Sequence, residues 1–322
     1  MKRCFFLKFS AWLFVVAILL LLGAELFLRV HYGLCSAVLM RADDDYEYIA
    51  QPKQDRMRLG NRVLYNSYSM RSEELKDGSL RILCLGDSIL NGGTLTDHEK
   101  LATTILSKEL TVKINHEVQV LNVSAGSWGP DNCYAWLKRN GDFGAKLIVL
   151  VVSSHDVHDT MTFVPVVGRM KAFPVRQYPL ALIEVCDRYL FPKSKLFNMT
   201  KDQADAAFRK ENHIETTQVP FNPGFAAISE YASGKGMPFI VYLHASHDEF
   251  NAGTYDRDGQ AIISFCKDRR IPFICDLENG LTSECFREND YLHYNALGQA
   301  LLAKLLMPVC LQELEKASLI LN

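Results

Sequence analysis

Three polar side chains have the types and spacing that could together carry nucleophilic catalysis. Ser88 lies just after the apolar run at 81–86, and Asp290 and His293 stand three residues apart before the last helical pattern. A serine hydroxyl attacks well only when a base removes its proton, and imidazole does so at neutral pH. A carboxylate beside the imidazole fixes its tautomer and stabilises its charged form. These residues could therefore act as nucleophile, base and orienting group.

Turns at the ends of the next two apolar runs could supply further polar groups. The second run ends in the turn at 122–129, and the third ends in Ser153-Ser154-His155-Asp156. Backbone amides in such turns are suitable donors for the oxyanion of a tetrahedral intermediate. We therefore expect the chemistry to lie where these runs end.

The histidines near strand ends also raise the question of a metal site. His155-Asp156-x-His158-Asp159 combines imidazoles and carboxylates, which are common metal ligands. Such residues packed into one short loop rarely point at one centre, so we predict no metal and no cofactor. His244 and His247 follow another apolar run, and we expect them on a surface loop, with the substrate cleft as the alternative.

The elements that must position these groups alternate between apolar runs and helical patterns. Continuous β-branched runs separated by helices favour a parallel sheet that is covered on both faces. The prediction is an α/β fold, a doubly wound parallel sheet sandwiched by helices, with its ligands at the carboxyl ends of the strands. Strands are expected at 81–86, 118–123, 145–154, 237–245 and 271–277, and helices at 98–110, 131–138, 259–269 and 295–316.

Four blocks of sequence together resemble the SGNH (GDSL) hydrolase family over about residues 60–318. The stretch YNSYSMRSEEL at 65–75 is similar to the segment that precedes the first block in membrane-anchored bacterial members linked to polysaccharide acylation. The resemblance implies the SGNH, flavodoxin-like form of the fold, with Ser88 as nucleophile, His293 as base and Asp290 as its partner. The blocks are Gly86-Asp87-Ser88, the turn after Asn122, Ser153-x-x-Asp156 and Asp290-x-x-His293.

Two positions depart from the family pattern, and both concern the oxyanion hole. Ser127 stands where the family has a glycine, with Gly126 one position earlier, and His155 replaces the asparagine of G-x-N-D. The resemblance implies an oxyanion hole drawn from Ser88, Gly126, Ser127 and His155, because an imidazole N–H can donate as an amide does. The change at His155 also leaves open a degenerate, inactive relative.

The N-terminal segment predicts a membrane anchor. Residues 9–24 carry no charge, and residues 5–28 are long enough to cross a hydrocarbon core as a helix. A cleaved signal peptide is the alternative, but no small-x-small site follows the apolar run. Lys2, Arg3 and Lys8 favour a cytoplasmic N-terminus, so we expect a single-pass protein of the plasma (inner) membrane with an extracytoplasmic, periplasmic catalytic domain. We expect Glu25 to face the headgroups.

Composition and cysteine content bear on the possible partners, the disulfides and the division of the chain into regions. The 322 residues include 35 basic and 37 acidic side chains, and a net charge of -2 gives no indication of a nucleic-acid partner. Nine cysteines without a C-x-x-C pair predict no obligatory disulfide framework. The expected regions are a cytoplasmic tip and anchor at 1–30, a stalk with lead-in strands at 31–78, and a catalytic domain at 79–322 with an insertion at about 157–222.

The predicted function is a membrane-anchored serine esterase that removes O-acyl groups from an extracytoplasmic glycan through an acyl-enzyme. Its partners would be the acylated glycan, or another ester, and the membrane. An O-acyltransferase with the same triad is the alternative, because an acyl-enzyme can pass its acyl group to a sugar hydroxyl instead of water. A non-catalytic glycan-binding or scaffold member of the family is the third hypothesis, and His155 favours it.

Overall fold

A computed structural model describes residues 2–190 and 219–318, together with Gln203 and Ala206. Most of the second half of the predicted insertion at 157–222 therefore lies outside the described residues. The chain begins with one long helix, α1 (Lys2–Tyr32), and continues through two hairpins into a sheet domain.

The two hairpins form part of the wall of the sheet domain. Strands β1 (Met40–Asp43) and β2 (Glu47–Ala50) pair antiparallel, as do β3 (Gln54–Arg58) and β4 (Asn61–Tyr65). The hydroxyl of Tyr48, which is buried, donates to the carbonyl oxygen of Gly126 at 2.8 Å. Residues 40–65 thus pack against the domain and do not extend from it as a stalk.

Five parallel strands form the central sheet, which confirms the predicted doubly wound architecture. Their spatial order is β6-β5-β7-β8-β9, so the connections reverse direction between β5 and β7. That reversal opens a crevice at the carboxyl ends of these two strands, where ligands bind in such sheets. The strands are β5 (Leu80–Gly86), β6 (Val118–Ser124), β7 (Ile148–Ser153), β8 (Phe239–His244) and β9 (Phe273–Cys275).

Helices cover both faces of the sheet. On one face α3 (Ala102–Ile114) packs against α9 (Ala296–Ser318), and on the other α4 (Pro130–Asn140) contacts α6 (Gly224–Gly234), which contacts α8 (Arg257–Arg269). Residues of β7 are buried throughout, as expected for a strand covered on both sides. Three short helices complete the described chain: α2 (Ser88–Asn91), α5 (Ala181–Val185) and α7 (His247–Ala252).

In the part of the chain that the structure describes, two helices are long and apolar enough to cross a membrane, at 8–32 in α1 and 296–316 in α9. The segment in α9 is an ordinary core helix, because it buries Leu302, Leu306 and Leu314 inside the domain. The segment in α1 buries none of its apolar window. This exposed apolar helix is therefore the candidate anchor.

Candidate active site

The end of β5 is built to present Ser88 at a sharp turn. A side chain at Gly86 would bring its Cβ within 2.9 Å of the carbonyl oxygen of Val151, so only glycine permits this approach of two strands. Asp87 then caps α2 by accepting the amide of Ile89 at 2.8 Å. The turn and the cap together place Ser88 as the first residue of α2 at the sheet's carboxyl edge.

The structure brings Ser88, His293 and Asp290 into one hydrogen-bonded chain. The Nε2 atom of His293 lies 2.8 Å from Oγ of Ser88, and its Nδ1 lies 2.8 Å from Oδ2 of Asp290. Because Nδ1 faces a carboxylate, it carries the proton, and Nε2 is left to accept from the serine hydroxyl. This is the geometry of a hydroxyl poised to lose its proton to an imidazole.

The protonation states of Asp290 and His293 suit this geometry. Burial acts to raise the pKa of Asp290, but the amides of His293 and Leu292 and the facing imidazole outweigh it, so the net effect is a lowered pKa. Burial lowers the pKa of His293, and the charge of Arg287 lowers it further against the opposite effect of Asp290. At neutral pH the arrangement therefore holds a carboxylate beside a neutral imidazole.

Of the four predicted oxyanion positions, Ser88 and Gly126 line the same cleft. A Cβ at Gly126 would meet no atom of the described residues within 4 Å. Ser127 follows it with a φ of 57°, a left-handed conformation that favours glycine. The hydroxyl of Tyr48 lies within hydrogen-bonding distance of the carbonyl oxygens of both residues, at 2.8 and 3.3 Å, and so holds this turn in place.

His155 makes its polar contacts with Ser153, Asp87 and Asp156. Its Nδ1 is 2.8 Å from Oγ of Ser153, and its Nε2 is 3.9 Å from Oδ2 of Asp87 and 4.0 Å from Oδ1 of Asp156. His155 is absent from the described residues that line the Ser88 cleft. Its role as an oxyanion donor stays a prediction that these contacts do not favour.

The carboxylates that face His155 form a buried pair beside the nucleophile. Oδ2 of Asp87 and Oδ1 of Asp156 have no hydrogen-bond partner among the described residues. One ligand atom from each of Asp87, Asp156 and His155 lies within 4.8 Å of the others. Burial, together with the charge of Asp156, raises the pKa of Asp87 to about 7, and burial raises the pKa of Asp156 well above its usual value. Three such ligand atoms could hold a cation, or the two carboxyl groups could hold a proton.

His244 is fully buried, so its expected place on a surface loop was wrong. Its Nδ1 lies 2.5 Å from Oδ2 of Asp276, and its Nε2 lies 2.6 Å from the carbonyl oxygen of Leu292. Leu292 directly precedes His293. The buried pair therefore supports the loop that carries the base.

Two arginines that sequence reasoning did not select also shape the site. Arg71 is buried and donates to the backbone carbonyls of Asn91 and Gly93, at the end of the short helix that Ser88 begins. Arg287 lines the Ser88 cleft and donates to the carbonyl oxygen of Gly92 at 2.7 Å. The only signal for Arg71 was its position inside the stretch at 65–75, and Arg287 had none.

Comparisons with known proteins give likenesses of fold at low identity. No family model and no curated protein matches the chain. The solved lipase/acylhydrolase from Enterococcus faecalis is 14% identical, with a TM-score of 0.43 over 72% of this chain and 96% of that one. A catalytic mutant of an acetylxylan esterase from Geobacillus stearothermophilus is 12% identical, with a TM-score of 0.43 over 73% and 95%. A protein assigned to the lipolytic G-D-S-L family from Desulfitobacterium hafniense is 12% identical, with a TM-score of 0.39 over 72% and 99%.

Proposed function

We propose that this chain is a serine esterase of the SGNH type that works through an acyl-enzyme. The observation that carries the proposal is the continuous chain from Oγ of Ser88 through His293 to Asp290, with both links at 2.8 Å. Two polar links of this length, ending at a serine in an open cleft, are the arrangement that activates a hydroxyl for acyl transfer.

In the proposed first half-reaction, Oγ of Ser88 attacks the carbonyl carbon of the ester while its proton moves to Nε2 of His293. The resulting imidazolium is stabilised by Asp290, and the oxyanion accepts from backbone amides at Ser88 and Gly126. Collapse of the tetrahedral intermediate breaks the ester C–O bond, and His293 gives its proton to the leaving alcohol.

The second half-reaction regenerates the serine. Water, activated by Nε2 of His293, attacks the acyl carbon, and collapse of this second intermediate releases the carboxylic acid and returns the proton to Oγ of Ser88. A sugar hydroxyl could take the place of water, in which case the same site would act as an O-acyltransferase.

We further propose that α1 anchors the protein in the plasma (inner) membrane, with the catalytic domain in the periplasm and an O-acylated glycan as substrate. The basic N-terminus and the exposed apolar helix support the anchor and its direction. The likeness of residues 65–75 to the polysaccharide-linked members supports the glycan. A reporter fused after residue 35 should be active outside the cytoplasm, and a cytoplasmic reporter signal would contradict the proposed orientation.

A fluorophosphonate probe tests the enzyme directly. We expect it to label the full-length protein but not Ser88→Ala, because only an activated serine reacts. Ser233→Ala, on the exposed end of α6, should label like the wild type. Equal labelling of the wild type and Ser88→Ala would reject the esterase, and transfer of a labelled acyl group to an oligosaccharide would identify the acyltransferase.

A further inference from the structure

The cleft that contains Ser88 continues to the end of the membrane helix. It encloses about 410 Å³, and its walls include Arg58 and Leu59 as well as Ser88 and His293. The amide of Leu59 donates to the carbonyl oxygen of Tyr32 at 3.0 Å, at the last residue of α1. The cleft and the C-terminal end of α1 thus share one wall.

The charges that line this cleft have one sign. Four basic side chains face it, and none of the described residues that line it is acidic. Glu184, buried beneath, contacts both Arg58 and Arg188, so one carboxylate serves two guanidinium groups. The basic residues are Arg58, Lys171, Arg188 and Arg287.

Lys171 and Arg188 lie next to each other in the lining of the cleft. The ammonium of Lys171 donates to the backbone carbonyl of Arg188 at 2.8 Å. Burial lowers the pKa of Lys171, and the charge of Arg188 lowers it further. Nε of Arg287, which also lines the cleft, is buried and has no hydrogen-bond partner among the described residues. An anionic group in the cleft would offset the repulsion between the charges of Lys171 and Arg188.

The start of α5, in the predicted insertion, is hydrogen-bonded to α1. Glu25 does not simply face headgroups: its carboxylate accepts the amides of Ala181 and Leu182 at 2.8 and 3.0 Å. Glu25 lies about two turns before the end of α1, so α5 sits beside the helix at the depth of a bilayer interface. Leu180 and Ile183 expose 46% and 45% of their surfaces there. Exposed apolar side chains at that depth would contact lipid.

We propose that the cleft receives an anionic amphiphile from the bilayer, with a phosphate group held by Lys171, Arg188 and Arg287. Its apolar part would remain in the lipid beside α5, and its ester would reach Ser88. The binding stands on the charge and placement of the cleft, whereas the cleavage of the ester rests on the proposed function. On this basis the glycan substrate would still carry its phosphate-linked lipid.

Photo-crosslinking in nanodiscs tests the binding with the full-length protein. Photoactivatable phosphatidylglycerol and photoactivatable phosphatidylcholine are compared at equal mole fraction, and the crosslinked peptides are mapped. One unit of charge near a membrane surface corresponds to about a fivefold difference in binding. We therefore expect phosphatidylglycerol to crosslink to cleft peptides about fivefold more than phosphatidylcholine.

Charge variants at Lys171 test the proposed phosphate contact. Lys171→Gln should reduce the phosphatidylglycerol crosslink about fivefold and Lys171→Glu about twentyfold. The matched control is Lys113→Glu, on the exposed end of α3, which should crosslink like the wild type. Equal crosslinking by the two lipids, or equal effects of the changes at Lys171 and Lys113, would overturn the proposal.

Two further measurements distinguish a lipid ligand from soluble phosphate and separate lipid binding from the esterase activity. If excess inorganic phosphate removes the lipid crosslink entirely, the cleft takes soluble phosphate and the membrane source is wrong. Fluorophosphonate labelling of Ser88 in the same nanodiscs reports the proposed function alone. A retained lipid preference without labelling would reject the esterase and keep the lipid site, whereas labelling without lipid preference would reject the lipid site alone.

Discussion

Two histidine–aspartate pairs lie in the same sheet domain, and their surroundings set them apart. The side chains of His293 and Asp290 are 28% and 24% exposed, whereas those of His244 and Asp276 are fully buried. In both pairs Nδ1 faces a carboxylate oxygen, at 2.8 and 2.5 Å. The contact between imidazole and carboxylate is therefore nearly the same in each.

The second ring nitrogen decides what each pair does. Nε2 of His293 faces a hydroxyl, which can donate to it, while Nε2 of His244 faces a carbonyl oxygen, which can only accept. Burial acts to lower the pKa of both rings, but Asp276 reverses this and raises the pKa of His244. The comparison indicates that His293 is a neutral base, whereas His244 is a charged residue that supports the loop of His293.

Removing the triad groups should give the largest difference in activity. Ser88→Ala and His293→Ala should each lower ester cleavage about 10⁴-fold or more, and the double variant should be little worse, because the groups act as a unit. Initial rates on a chromogenic ester measure this, with Ser233→Ala as the control. Near-normal turnover by either single variant would contradict the role assigned to the residue that it replaces.

Substitution of Asp276 should mainly affect stability, whereas substitution of Asp290 should mainly affect activity. Asp276→Asn removes the charge partner of a buried histidinium and should lower the free energy of unfolding by about 3–5 kcal/mol. Asp290→Asn should mainly lower kcat, by about 10⁴, through the wrong imidazole tautomer. Denaturant unfolding and kinetics on the same preparations measure both effects. Loss of stability in Asp290→Asn with little loss in Asp276→Asn would reverse the comparison.

The stability effect at Asp276 should also depend on pH. Because the pKa of His244 is raised in the folded state, its contribution is complete below the unfolded pKa and is lost as pH rises through the folded value. The difference between wild type and Asp276→Asn should therefore be largest in mildly acidic solution. A difference that grows with rising pH would contradict a charged His244.

A third histidine, His155, faces carboxylates and no hydroxyl of Ser88, and its variants test whether it contributes to catalysis. From its contacts we expect His155→Ala to lower kcat less than about tenfold, well below the 10²–10³ typical of a lost oxyanion donor. His155→Asn is the informative second variant. A large loss in the alanine variant that asparagine restores would reinstate His155 as the donor.

The smallest expected effect is a shift of the pH profile. Arg287→Met removes a positive charge that lowers the pKa of His293, so the acid limb of kcat/KM should move to higher pH by a fraction of a unit. Arg169→Met, an exposed change, is the control. A shift to lower pH would show that Arg287 does not act on His293 through its charge.

Most of the elements could be predicted because their signals are local. Apolar runs predicted β5 to β9, and helical periodicity predicted α3, α4, α8 and α9 to within a few residues. The placement of Ser88 followed as well, since parallel strands bring their carboxyl ends to one edge whatever the details of packing. These inferences required no knowledge of which side chains touch.

The directions of individual side chains could not be predicted in this way. Glu25 bonds to amides more than 150 residues away, and His244 is buried by residues that follow it by 32 and 48 positions. A strand-end histidine can point to solvent, to a carboxylate or to a hydroxyl with the same local pattern. Only the packed neighbours distinguish these cases.

Sequence by itself determined the parallel sheet, the apolar N-terminal helix and the position of Ser88 at the end of a strand, because periodicity and strand-end position are properties of short segments. The tertiary structure decided that Asp290-x-x-His293 reaches Ser88, that His244 supports it from behind, and that basic residues from four separate segments line a cleft at the end of α1. Those outcomes depend on distances between residues far apart in the chain, and such distances exist only once the chain is packed.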